Sequence, residues 1–227
     1  MALSGEYTYT KPAEIESNSM KIIEAEMRDM GMECPHENMA IVKRVIHTTA
    51  DFDYGHNLKF TEGAAKKGIE SLKAGGTVII TDTNMALSGV NSTGLDKLDA
   101  KAICYMARED IKELARSEGT TRAYASMKQG GIDHPRGIFA VGNAPTALIA
   151  LSEMIREGFR PSLIIGVPVG FVNVVESKEE IFRLCSEEGI PAIVAFGRKG
   201  GSNVAAAICN ALIYSAAGTV DPAKRNW

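Results

Sequence analysis

"GIFAVGNAPTALIALSEMIREG", residues 137–158, reads as a strand, a turn and a helix in immediate succession. The run "GIFAVG" (137–142) is short, apolar and bounded by glycines, as expected of a strand buried on both faces. Pro145 fits the first turn of a helix, where its missing N–H would have no partner anyway. The helix runs to about Glu157, and Gly158 follows it as a stop. A strand that leads straight into a helix is the repeating unit of a parallel sheet.

Four further runs have the same character: "TVIIT" (77–81), "KAICYM" (101–106), "SLIIGV" (162–167) and "PAIVAF" (191–196). Helix-period segments separate them, so the spacing predicts a mainly parallel, five-stranded sheet covered on both faces. Before the first run, helical stretches lie near 12–30 and 37–49, and a third near 61–73 ends at Gly75-Gly76. Ser177-Lys178-Glu179-Glu180 matches a capping box ahead of Ile181, Phe182, Leu184 and Cys185, with Gly189 as the C-terminal stop. Ser202 or Asn203 is placed to cap the last helix, "NVAAAICNALIY" (203–214). There are no repeats or linker-like stretches, which predicts one α/β domain with N-terminal helices at about 12–73 and a sheet core at about 77–216.

Composition narrows the function. The net charge of -3 argues against a generic nucleic-acid binder, which is normally basic. Cys34, Cys104, Cys185 and Cys209 form no C-x-x-C pair and no zinc spacing, so they read as buried, reduced thiols and predict no metal site. Glu6, Glu14, Glu16, Glu24 and Glu26 argue against a signal or transit peptide at the start of the chain. No apolar run reaches the length of a membrane span, and the expected location is the cytoplasm.

In sheets of this kind ligands bind outside the carboxyl ends of the strands. That singles out Asp82-Thr83-Asn84, "GNAPT" (142–146), "GVPVGFVN" (166–173) and "GRKGGSN" (197–203). "GRKGGSN" opens a helix where an anion would sit, but it lacks the Walker A spacing and the G-x-G-x-x-G pattern. A tight turn and a backbone anion site both fit it. "GNAPT" offers free N–H groups at a helix start, and plain capping by Asn143 or Thr146 fits it equally. In "RVIHTTADFDYGHN" (44–57), a helix over 38–51 turns Ile41, Val42, Val45 and Ile46 to the core and sets Arg44, His47 and Asp51 on the opposite side. That side is either a solvated face or the wall of a cleft in which His47 is poised for proton transfer.

Five stretches give the chain a family resemblance: "RVIH" (44–47), "TRA" (121–123), "GNAPTAL" (142–148), "GVPVGFVNVVESKE" (166–179) and "GRKGGSNVAAA" (197–207). It resembles the precorrin-8X methylmutases (cobalt-precorrin-8 methylmutases) of cobalamin biosynthesis from about Ile15 to about Tyr214. The resemblance implies a flavodoxin-like, Rossmann-like three-layer sandwich, a homodimer, and an active site completed near the subunit interface. It implies an isomerase without a cofactor, which moves a methyl group between neighbouring carbons of a corrin precursor. The family's catalytic histidine falls on His47, and its substrate contacts fall on Arg44 and Ser19. Asp82 and Arg122 match further motif positions expected near the ring.

The implied substrate is a macrocycle rimmed with carboxylates, which needs several anion sites rather than one phosphate cradle. Arg44, Arg122, the helix starts at Asn143 and Thr146 and at Gly200, Gly201 and Ser202, and Arg198 or Lys199 are the groups available to supply them. Two other readings keep the same scaffold: a corrinoid-binding or carrier protein without turnover, and a nucleotide-binding protein that uses "GRKGGSN".

Overall fold

The computed structural model describes residues 11–225. Two helices, α1 (Pro12–Asp29) and α2 (His36–Thr49), precede the short helix α3 (Tyr54–Asn57) and strand β1 (Leu58–Phe60). Helix α4 (Ala64–Lys73) leads to β2 (Val78–Thr81), followed by the short helices α5 (Asn84–Gly89) and α6 (Ser92–Asp96) and by β3 (Lys101–Cys104). Helices α7 (Glu109–Ser117) and α8 (Arg122–Asp133) connect to β4 (Ile138–Val141), and α9 (Pro145–Arg156) connects to β5 (Leu163–Gly166). Helix α10 (Val174–Glu187), β6 (Ala192–Ala195) and α11 (Ser202–Ala216) complete the order, ahead of a 3-10 turn at Pro222–Lys224.

The strands form one sheet in the order β1-β6-β5-β4-β2-β3. All neighbours are parallel except β1, which runs antiparallel to β6 with Leu58 opposite Ala195 and Phe60 opposite Ile193. The sheet therefore has six strands, not the five that apolar runs alone predict. "LKF" escapes such a reading because it is three residues long and carries an exposed lysine at its centre. A charged, short strand is what an uncovered sheet edge tolerates.

Side-chain alternation along the strands splits the core in two. Ile79, Ile138, Ile165 and Ile193 face one layer, where α1, α2, α4 and α11 pack. Ile80, Phe139, Ile164 and Val194 face the other, built from α7, α8, α9 and α10. Because both faces are covered, β2, β4, β5 and β6 are buried at every position. α11, rich in alanine, lies deepest and touches α2, α4 and α5. Among the described residues no helix is long and apolar enough to cross a membrane.

Several local expectations are corrected. α10 begins at Val174, three residues before the expected capping box. Its N-cap is Asn173, held in the left-handed region, and the Ser177 hydroxyl donates to the Val174 carbonyl instead of capping. The N-cap of α11 is Gly201 and no side chain caps it, so neither Ser202 nor Asn203 plays that part. α9 starts at Pro145 as expected, but its N-cap is Ala144 rather than Asn143 or Thr146. α2 stops at Thr49 because Ala50 turns left-handed (φ 53°), which removes Asp51 from the helix. The four cysteines are free; Cys185 and Cys209 are buried, whereas Cys34 and Cys104 are half-buried.

Candidate active site

The chain leaves β2 to one side to form β3, then crosses to the other side of β2 to form β4. The crevice at such a reversal, outside the carboxyl ends of the strands, is where α/β sheets hold ligands. Asp82 sits at that point with no exposed surface. Its carboxylate accepts hydrogen bonds from the N–H groups of Gly142 (2.9 Å), Asn143 (2.8 Å) and Ala144 (2.8 Å). Burial pushes this carboxyl up from its ordinary range, while the amides pull it back toward the ionised form. Asp82 thus sets the shape of the turn that opens α9, and its oxygens face that turn rather than solvent.

The same edge is tied together by hydroxyls. Thr83 Oγ1 accepts from the Ala86 N–H (3.0 Å) and pairs with Ser202 Oγ (2.8 Å), joining the end of β2 to the start of α11. Thr146 Oγ1 pairs with Thr121 Oγ1 (2.8 Å), the residue that caps α8 just before the exposed Arg122. Gly142 packs so tightly on α11 that a Cβ there would lie 2.7 Å from Ser202 Cα and 2.9 Å from the Gly201 oxygen. Asn143 is exposed beside it. The structure therefore brings Asp82, Arg122, Asn143, Thr146, Gly201 and Ser202 onto one edge of the sheet.

His47 lies on the exposed face of α2, away from the buried Ile41, Val42, Val45 and Ile46. Arg44 precedes it by one turn and is not free: it pairs with Glu16 of α1, and its guanidinium lies 5.1 Å from the centroid of the Tyr214 ring. Glu16 also accepts from Arg225 Nη1 at 2.7 and 2.8 Å, and Arg225 stacks on the same ring at 3.8 Å. Among the described residues this group sets two guanidiniums against one carboxylate and so carries a net positive charge. Partial desolvation lowers the His47 pKa from its ordinary value even on this exposed face, Arg44 and Arg225 lower it further, and Glu16 opposes them. Ser19 lies one turn beyond Glu16 on α1, its hydroxyl donating to the Ile15 carbonyl (2.9 Å). A groove of about 770 Å³ between α1, α2 and the C-terminal turn is lined in part by Ser17, Met20, Lys43 and Arg44. A second groove, of about 760 Å³, lies at the amino ends of the strands and is lined neither by Arg44 or His47 nor by the residues gathered at the carboxyl edge.

Lys199 connects the two regions. Its ammonium sits 2.6 Å from both Asp51 and Asp53, which anchors the 197–203 loop to the segment that follows α2. Asp51 therefore serves Lys199 rather than His47, and Lys199 is already paired twice. Arg198 instead lies over the exposed Phe171 ring, 5.3 Å from its centroid.

Sequence reasoning missed Glu16, Tyr214, Arg225 and Lys178. A signal existed for Lys178, which falls with Ile181 and Cys185 on the apolar stripe of α10. None existed for Arg225, whose partner Glu16 lies 209 residues away. Among the described residues no group of three or more His, Cys, Asp or Glu side chains is arranged to hold a metal ion.

Comparison with known proteins adds to this geometry. The profile of the precorrin-8X methylmutase family matches residues 14–215. The cobalt-precorrin-8 methylmutase of Salmonella typhimurium is 42% identical over 210 residues, covering 90% of this chain and 95% of that protein. That of Leptospira interrogans is 41% identical over 208 residues, covering 88% and 91%. The crystal structure of precorrin-8x methyl mutase from Thermus thermophilus superposes with a TM-score of 0.78 at 36% identity, covering 90% of this chain and 98% of that one. A match of this extent takes in the Arg44–His47 pair, the Asp82 turn and both glycine-bearing loops, and the chain belongs to the precorrin-8X methylmutase family of isomerases in cobalamin biosynthesis.

Proposed function

We propose that this chain catalyses the intramolecular methyl shift, formally a 1,5-sigmatropic rearrangement, that converts precorrin-8 or its cobalt form into (hydrogeno)cobyrinate. The observation that carries the proposal is that the family match spans residues 14–215 and so takes in His47, Arg44, Ser19, Asp82, Arg122 and both glycine-bearing loops. His47 acts as proton donor and acceptor. With its pKa lowered it rests largely neutral, and once protonated it is a stronger acid than an ordinary histidine. General acid catalysis of this kind contributes about 10²–10⁴-fold, and rigid binding of the ring supplies the orientation.

The carboxylates of the macrocycle are met by Arg44, Arg122, Ser19 and the helix starts around Asn143 and Thr146 and around Gly200, Gly201 and Ser202. The net positive charge of the Arg44–Glu16–Arg225 group supports the first of these. Asp82 acts beside the ring by fixing the 142–144 turn. No methyl donor is needed, because the methyl group never leaves the molecule that carries it. We read the chain as one flavodoxin-like domain: counted from β2, its parallel strands run in the order 2-1-3-4-5. We also assign a cytoplasmic homodimer, and Ile15 and Ile22, exposed on α1, suit a face covered by a second copy.

The test is turnover by the purified chain without any methyl donor. Isomerisation changes the visible absorption of the corrinoid and leaves its mass unchanged. Binding of the substrate with no catalytic change in its spectrum would overturn the assignment in favour of a carrier.

A further inference from the structure

Lys178 has no exposed surface, yet among the described residues no carboxylate pairs with it. Its ammonium instead donates to the carbonyl oxygens of Gly197 and Lys199, each at 2.8 Å. Burying a charge without a counter-ion is costly, so a side chain placed this way destabilises the fold unless what it organises compensates. What it organises is the turn between β6 and α11.

The trans peptide makes the consequence definite. The carbonyl and N–H of one peptide unit point in opposite directions. Drawing the oxygens of Gly197 and Lys199 inward to Lys178 therefore turns the N–H groups of Arg198 and Gly200 outward. Among the described residues neither N–H donates to a protein acceptor, whereas the Gly201 N–H is taken by the Val167 carbonyl (2.9 Å). Gly200 is pressed against the next loop so closely that a Cβ would overlap the carbonyl oxygens of Val167 and Pro168. Gly170 N–H in turn donates to the Arg198 carbonyl (3.2 Å), so the 167–173 loop rests on the same turn.

We infer that Lys178 is a positioning residue for substrate binding: from inside the fold it holds the 197–201 turn so that the Arg198 and Gly200 amides face outward to receive a carboxylate of the macrocycle. The inference rests on the methylmutase reading for the identity of the ligand, but not for the state of the turn. A carboxylate on two backbone amides at the start of a fifteen-residue helix also gains from the helix dipole.

The experiment compares the full-length wild type with Lys178→Met, which keeps the bulk of the side chain and removes its donors. Hydrogen exchange of peptides covering 167–173 and 197–203 is expected to quicken in the variant, while exchange in 204–216 stays unchanged. Steady-state kinetics with the corrinoid substrate are expected to show KM raised by about tenfold, the worth of one charge-assisted contact, and kcat changed far less. If the methionine variant does not fold, Lys178→Gln, which retains part of the donor set, carries the same comparison. Unchanged exchange in both loops overturns the inference, because Lys178 then does not hold the turn. Unchanged KM, or a loss confined to kcat, also overturns it, because the turn then does not hold substrate. If the wild type turns nothing over, the methylmutase reading fails while the exchange comparison still decides what Lys178 does.

Discussion

Arg44 stands one helical turn before His47 on α2, and its charge is one of the forces that hold the imidazole pKa below the ordinary histidine value. Arg44→Met removes that charge and is expected to raise the His47 pKa, whereas Glu16→Gln removes the opposing carboxylate and is expected to lower it. NMR titration of the imidazole reads both shifts, and no movement in either variant would contradict the electrostatic account. A depressed folded pKa means that the unfolded chain binds the extra proton first. This histidine's contribution to stability is therefore lost as pH falls through the window below 6.5, and Arg44→Met narrows that window.

Glu16 is the common partner of Arg44 and Arg225, and the side chains of all three are largely enclosed. Deleting the carboxylate leaves two arginines against Tyr214 without the partner they share. Glu16→Ala is expected to cost about 3 kcal/mol in denaturant unfolding, since breaking a buried ion pair strands its charge. The double variant Glu16→Ala/Arg225→Met should recover part of that loss. Purely additive losses would show that the contact carries little energy.

Asp82→Asn preserves shape but places an amide NH₂ where a carboxylate oxygen now accepts from backbone N–H groups. At least one buried amide loses its acceptor. The expected destabilisation is about 2–3 kcal/mol, read as a lower denaturation midpoint at constant slope. A change below about 0.5 kcal/mol would place this site among ordinary surface substitutions and contradict its role in the turn.

Burial lowers the Lys178 pKa to about 8 from an ordinary 10.5. Between those values the unfolded chain holds a proton that the folded chain has released, so stability from this group rises with pH across the window. Cys185 and Cys209, pushed up to about 12, act in the opposite direction above their ordinary value. The difference in unfolding free energy between wild type and Lys178→Met isolates the lysine. It should shift in favour of the wild type from about pH 8 to pH 10, and a flat difference would contradict an ammonium held without a counter-ion.

The sheet is legible in the sequence wherever a strand is buried on both faces. "VIIT", "IFAV", "LIIG" and "AIVA" are apolar at every position but Thr81, because every position on them is buried. β1 is not legible, because an edge strand of three residues with a central lysine has no periodicity to show. The helical face bearing Arg44 and His47 follows from spacing alone, and family motifs supply its chemistry. The end of α2 does not follow from spacing, since a left-handed alanine at position 50 gives no compositional warning. Nor do the partners of the charges follow: Lys199 with Asp51 and Asp53, and Arg225 with Glu16, join segments well over 100 residues apart. Only tertiary structure creates those pairings.

The central claim is that His47 handles the proton that lets the methyl group move. The most direct measurement is single-turnover conversion of the corrinoid by His47→Ala, followed by visible absorption and set beside the binding affinity of the same variant. The account predicts a rate lowered by about 10²-fold or more, with affinity near that of the wild type and the fold intact. Conversion at the wild-type rate would contradict it.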